Sequence, residues 1–290
     1  MKRRNIYGLY FSPTGTTKNV VSHIVSNLSH MFNVTYDLIS INKPQQRISE
    51  IDFSDEDIVV VGFPVYAGRV PNLLLPFINK IRGNGAIGIS VVLYGNRNYD
   101  DALYELSHIM YSNGFNIIAS GAFVGQHSFS NILAKGRPDA RDLNIISQFS
   151  NDIHTKICNE LISSDIIKKE SQTFMELYFK EKSTLKYFQP RDKNGNRIDI
   201  RKVKPITSES CNFCGRCIEL CPMNAIDVKN PKNIIGICIK CGACVKYCPL
   251  HAKSFVDKAY LTHVYELEDK YLNIRGKIDL FLKVFVLEKL

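Results

Sequence analysis

No apolar run in this chain is long enough to cross a bilayer. The longest, such as "IGISVVLYG", is broken by glycine and falls well short of the ~20 residues that a spanning helix needs. There is no basic block either. The 290 residues carry a net charge of +9. Yet Lys+Arg exceed Asp+Glu only 13 to 11 over residues 1–150, 12 to 9 over 151–210 and 12 to 8 over 211–290. A surplus spread so thinly reads as a solvated surface and not as a nucleic-acid footprint. The opening "MKRR" before "IYGLYF" is followed by no small-residue cleavage site, which argues against a secretory signal. The expectation is a cytoplasmic protein without a membrane span or a nucleic-acid partner. Also missing are the G-x-G-x-x-G turn of a dinucleotide fold and the G-K-S/T of a P-loop. No Ser-His-Asp or paired-carboxylate spacing points to hydrolysis.

What is present is a globular composition, 45% hydrophobic and 22% charged, long enough for one large or two ordinary domains. Strand and helix patterns alternate over the first half. Strands are expected over 5–11, 34–39, 57–63, 86–94 and 116–124, with helices over 16–30, 72–82, 99–113 and 138–163. "DIVVVGF" and "AIGISVVLYG" are continuous apolar runs, as parallel strands covered on both faces require. The expected fold class is α/β, a doubly wound parallel sheet, with its ligand beyond the carboxyl ends of the strands. The turn after the first strand, "SPTGTT", offers hydroxyls, one glycine and freed amides at a helix start. Such a turn suits a terminal phosphate monoester held without a metal.

Nine cysteines are present, and eight fall in two runs, "CNFCGRCIELCP" and "CIKCGACVKYCP". Each reads C-x-x-C-G-x-C-x-x-x-C-P, and the second repeats the first 27 positions later. A reducing compartment does not keep four disulfides in 38 residues. Zinc sites usually use two separated C-x-x-C pairs. The runs resemble the bacterial two-cluster ferredoxins, in which the fourth Cys of each run serves the other cluster. The resemblance implies one 4Fe-4S cluster on Cys211, Cys214, Cys217 and Cys248, and a second on Cys238, Cys241, Cys244 and Cys221. Gly215 and Gly242 would let backbone amides approach the sulfides. Cys158, the odd one, lies in a helical apolar pattern and reads as a buried structural thiol.

With the cysteines in view, S-x-T-G-x-T after the first strand resembles the phosphate loop of flavodoxins. By that resemblance Ser12, Thr14, Gly15, Thr16 and Thr17 hold the phosphate of FMN, and Lys18 faces solvent. The turns "GFPVYAGRVP" and "YGNRNYDDAL" resemble the loops that flank the flavin ring. Pro64, Val65, Tyr66 and Gly68 on one, and Tyr94, Gly95, Asn96 and Tyr99 on the other, are the implied cofactor contacts. Tyr66 and Tyr99 are the stacking candidates. His127, in "GAFVGQHSFS", is the candidate catalytic proton donor at the flavin edge; the competing reading is an ordinary hydrogen-bonded loop histidine. The whole chain is similar to the flavodoxin–ferredoxin fusion proteins of anaerobic microbes, over residues 5–130 and 205–256.

The resulting division is a flavodoxin-like FMN-binding domain over 1–164, a connector over 165–204, a two-cluster ferredoxin domain over 205–257 and a helical tail over 258–290. "DKNGNR" carries a hairpin turn signal within the connector. The tail has helical apolar spacing with a break near Gly276, and Leu280, Phe281, Val284, Phe285 and Leu287 form its apolar face. The ferredoxin part is expected to dock over loops 62–71 and 94–103. Two clusters and a phosphate, each near −2, would bring the formal +9 down to about +3. The implied function is electron transfer between the clusters and FMN, with a redox partner protein or a small-molecule acceptor. Cluster-fed reduction of an organic substrate and a redox sensor are the alternatives. A reductase should show a pocket over the ring with His127 pointing in.

Overall fold

The computed structural model describes residues 5–159, 163–180 and 185–282. Strand β1 (Asn5–Tyr10) leads into helix α1 (Thr16–Phe32), then β2 (Tyr36–Ser40), β3 (Asp57–Pro64), α2 (Leu75–Ile78), β4 (Ile87–Tyr94), α3 (Ala102–Ser112), β5 (Asn116–Val124), α4 (Ala140–Asn159) and α5 (Ser164–Phe179). The five strands pair in parallel in the order β2-β1-β3-β4-β5. That is the flavodoxin-like doubly wound order, with its switch point between β1 and β3. Strand β4 is buried along its whole length, and β3 at all but its last residue, because helices cover both faces. On one face α1 and α4 bring in Val20, Val21, Ile24, Ile146, Phe149 and Ile153. On the other, Phe77, Leu103, Leu106, Phe174 and Met175 pack from α2, α3 and α5.

Three expectations are corrected. The helix expected over 72–82 is a 3₁₀ turn, Asn72–Leu74, running into the single turn of α2. Pro71 and Pro76 restrict the residues before them, which leaves little room for a longer helix. The connector expected over 165–204 begins with α5, which belongs to the first module. Its polar surface hides a stripe of Ile167, Phe174, Met175 and Phe179 that is buried on the sheet. Lys156 of α4 and Glu170 of α5 form a buried ion pair at 2.6 Å that ties the two helices together. Farther on, the Asn194-Gly195 turn closes with one bridge, Arg191 to Arg197.

The second module is small. Strands β6 (Ile206–Thr207) and β7 (Lys253–Ser254) pair antiparallel around helices α6 (Arg216–Leu220) and α7 (Ala243–Lys246). Both helices start at a glycine with φ of 75°, Gly215 and Gly242, so the sequence repeat is also a structural one. Helix α8 (Lys258–Tyr271) follows, burying Tyr260, His263, Val264 and Leu267. The tail then departs from the expected helix. Residues Asp279–Phe281 form β8, antiparallel to β5, with Leu280 opposite Gly121. An open strand edge presents unpaired amides and carbonyls, and β8 covers part of that edge. Val284, Phe285 and Leu287 lie outside the described residues. No helix among the described residues is long and apolar enough to cross a membrane.

Candidate functional site

The first turn is an anion cradle by construction. Gly15 takes φ of 88° and starts α1 without a side-chain cap. The Ser12 amide donates to Asn42 Oδ1 at 2.6 Å, and Ser12 Oγ accepts from the Lys18 amide at 2.9 Å. Among the described residues, the Thr16 and Thr17 amides have no protein acceptor. They are the first donors of a 17-residue helix, where the dipole favours an anion. Thr14, Gly15 and Thr16 are half-buried, Thr17 is buried, and Lys18 is exposed. Asn42, past the end of β2, had no signal in the sequence; only the fold brings it to Ser12.

The second turn is locked by paired hydrogen bonds between Tyr66 and Arg69, with Ala67 and Gly68 at positive φ. Val65 donates to Leu93 O at 2.8 Å, just beyond Pro64. The third turn lies directly against it: Asp101 N donates to Gly68 O at 3.0 Å, and a Cβ on Gly68 would stand 2.3 Å from Asp100 Oδ2. Burial pushes the Tyr66 hydroxyl well up, and the nearby Cys241 and Cys238 push it further. Tyr94 and Tyr99 turn elsewhere. The Tyr94 hydroxyl donates to Lys277 O. The Tyr99 hydroxyl is pushed up first by burial and then by Asp279, to which it is hydrogen-bonded. Asn96 is likewise engaged by the tail: its side chain donates to Tyr271 O and Ile274 O and accepts from Gly276 N at 2.8 Å. Of the three tyrosines, Tyr66 is the one that stands beside the cysteines.

His127 sits over Gly95, where a Cβ would meet its ring at 2.4 Å. Its Nδ1 accepts from the Phe129 amide at 3.1 Å, which leaves the proton of the neutral ring on Nε2. Burial, then His263, then Arg97 pull its pKa down to about 4. His263 is pulled down to about 4 by burial and by Arg97. Arg97 pairs with Asp100 and lies 3.9 Å over the Phe188 ring. At neutral pH the group is therefore two uncharged imidazoles beside one guanidinium. An open depression of about 580 Å³ borders this region, lined by Tyr99, Asp100, Asp101, Tyr187, Phe188 and Asp279, but His127 does not line it.

The eight clustered cysteines fall into two foursomes that cross between the runs. Cys211, Cys214, Cys217 and Cys248 line one pocket together with Pro231, Leu250 and Lys253. Around the other, the thiols of Cys238, Cys241 and Cys244 are raised first by burial and then by repulsion that includes Cys221. Cys244 is pushed up to about 12. In each run the fourth sulfur accepts an amide four residues on: Cys221 from Ala225 at 3.3 Å, Cys248 from Ala252 at 3.2 Å. Pro222 and Pro249 follow them. Among the described residues no group of three or more His, Cys, Asp or Glu converges on a single-ion position. Four thiolates gathered out of water strongly favour a cationic group between them, and bridging irons supply one. The donor set fits such a group. Cys158 lies half-buried on α4, 3.4 Å from His154 Nε2, and belongs to neither foursome.

The second run faces inward. A Cβ on Gly242 would meet Ser128 O at 2.6 Å, while Gly215, its counterpart, has open space around it. Tyr247 Oη donates to Thr14 O at 2.7 Å, and the C-terminal end of the first run also touches the sheet module, where Lys43 Nζ donates to Cys221 O at 3.5 Å and Arg47 donates to Pro222 O. The start of the first run faces outward: Cys214 is exposed, with Phe213 53% and Leu250 46% exposed beside it. The expected docking over loops 62–71 and 94–103 is thus only half observed. Tyr66 lies close enough to Cys241 and Cys238 to feel their charge, but the third turn meets the connector at Phe188 and the tail at Gly276. The first turn, at Thr14, and Ser128 take its place.

Residues 195–253, which hold both cysteine runs, match the family model described as a 4Fe-4S dicluster domain. Among solved structures, a flavodoxin from the domain Archaea is 16% identical, covering 53% of this chain and 99% of that chain with a TM-score of 0.39. The Streptococcus pneumonia TIGR4 flavodoxin is 16% identical, covering 52% and 99%, also with a TM-score of 0.39. A Fusobacterium nucleatum flavodoxin bound to flavin mononucleotide is 13% identical, covering 53% and 98% with a TM-score of 0.37. Likenesses this distant add nothing to what the strand order already states. By its own topology and its matched domain, the chain joins a sheet of flavodoxin-like order to a module of 4Fe-4S type.

Proposed function

We propose that the chain is an iron–sulfur flavoprotein that transfers electrons between two 4Fe-4S clusters and FMN. When bound, such clusters exchange electrons singly and a flavin holds one or two, so together they join one-electron to two-electron partners. The observation that carries the reading is the docking of the second cysteine run on the sheet's ligand edge: Tyr247 Oη donates to Thr14 O at 2.7 Å, and Gly242 packs against Ser128 O. The inner foursome, Cys238, Cys241, Cys244 and Cys221, therefore abuts the edge where a flavin would lie. The outer foursome, Cys211, Cys214, Cys217 and Cys248, opens to the surface through Cys214, which suits contact with a redox partner protein. The free amides of Thr16 and Thr17, with Ser12 and Gly15 shaping the turn, suit the FMN phosphate.

Transfer to a partner is favoured over reduction of an organic substrate. The open depression beside Tyr99 carries three carboxylates, and His127 is not among the residues that line it. His127 offers a neutral Nε2–H to whatever lies beside Gly95.

Anaerobic purification with an ultraviolet–visible spectrum and metal and flavin analysis tests this. About eight irons and one FMN per chain are expected. Zinc in place of iron, or a chain that takes up no flavin, overturns the reading.

A further inference from the structure

The phosphate turn has one basic side chain of its own, Lys18. Lys18 and Lys246 are both exposed, but among the described residues the Lys18 ammonium makes no hydrogen bond to the turn, and the first turn of α1 holds no other basic side chain. A second cation comes from the cysteine module. Lys246 Nζ lies 3.4 Å from Thr14 O, and among the described residues no carboxylate pairs with it. Its neighbour Tyr247 holds the same carbonyl from its hydroxyl at 2.7 Å, and a Cβ on Gly15 would stand 3.3 Å from that oxygen. Two side chains from one module thus converge on the middle of a turn in the other.

We infer that Lys246 and Tyr247 complete the FMN phosphate site from the cysteine module, with Lys246 as its cation and Tyr247 fixing the Thr14 carbonyl. The inference rests on the FMN reading above and deepens it. A dianionic phosphate on the Thr16 and Thr17 amides would be neutralised across the module boundary. Lys246 and Tyr247 stand between Cys244 of the inner foursome and Cys248 of the outer one. Both ride on α7 and its C-cap, and α7 carries Cys244, so FMN retention becomes a report on assembly of the inner foursome. Linkage works in both directions: bound FMN should hold the cysteine module in place as firmly as the module holds FMN.

The test uses the full chain, cluster-loaded and stripped of flavin under anaerobic conditions, titrated with FMN and with riboflavin by fluorescence quenching. Riboflavin has the same ring and no phosphate. In Lys246→Gln the FMN Kd should rise about tenfold or more, as expected for a lost charge-assisted contact, with the riboflavin Kd unchanged. Lys246→Arg should keep FMN binding within about threefold, and Lys18→Gln should leave it unaltered. If Lys246→Gln binds FMN as tightly as the parent, or weakens riboflavin equally, the inference is wrong while the FMN reading stands. If the parent binds neither flavin, both fall together.

Discussion

His127 shows how much a side chain's meaning depends on its surroundings. The sequence offers it as a proton donor, yet its Nδ1 is occupied by the Phe129 amide and its ring is kept neutral by burial beside His263 and Arg97. The folded pKa, about 4, lies below the ordinary value of 6.5. The unfolded chain therefore takes up a proton between those values that the folded chain refuses. Stability from this site is complete above pH 6.5 and is lost as pH falls toward 4. His127→Gln should lose less stability between pH 7 and pH 5 than the parent does, by about 2 kcal/mol at most. Urea unfolding at the two pH values measures the difference; equal losses would mean that the ring is already protonated in the fold. Asn42, Arg97 and His263 join the site without any motif, because each reaches it through tertiary contact. Cys211 to Cys248 were legible because ligand spacing along the chain is itself the signal.

At the scale of elements, the two glycines that start α6 and α7 form a matched pair. Both have φ of 75°, but only Gly242 faces a neighbour, Ser128 O. An alanine at either pays about 1–2 kcal/mol for the left-handed backbone. Gly242→Ala adds a clash that Gly215→Ala does not. Gly242→Ala should therefore lower the unfolding midpoint of the cysteine module more, and should loosen its protection from proteolysis at the boundary. Equal effects of the two substitutions would place the docking face elsewhere. Strands β3 and β4 were legible from continuous apolar runs. Helix α5 was not, because its apolar stripe is diluted by lysines and glutamates. Strand β8 was not either: its few residues fit a helix as well as a strand, and the open edge of β5 decides between them.

Taken whole, the molecule places one foursome against the sheet's ligand edge and the other at the surface. Cysteine substitutions should follow that asymmetry. Cys214→Ser should lower iron content while leaving FMN affinity within about twofold, since Cys214 is exposed and belongs to the outer foursome. Cys241→Ser, in the buried inner foursome beside Tyr66, should lower both. Iron analysis paired with flavin titration reads the two effects separately, and equal loss of flavin in both variants would argue against the inward orientation of the second run.

The sequence alone determined the two repeated cysteine runs and the alternation of strands and helices, because each is written in short-range spacing or in apolar periodicity. Tertiary structure decided which run faces inward, which tyrosine stands by the sulfurs, and that Lys246 reaches Thr14. Two nearly identical cysteine repeats carry no local mark of orientation. Their difference arises only when Gly242 and Tyr247 find a complementary surface and Gly215 does not.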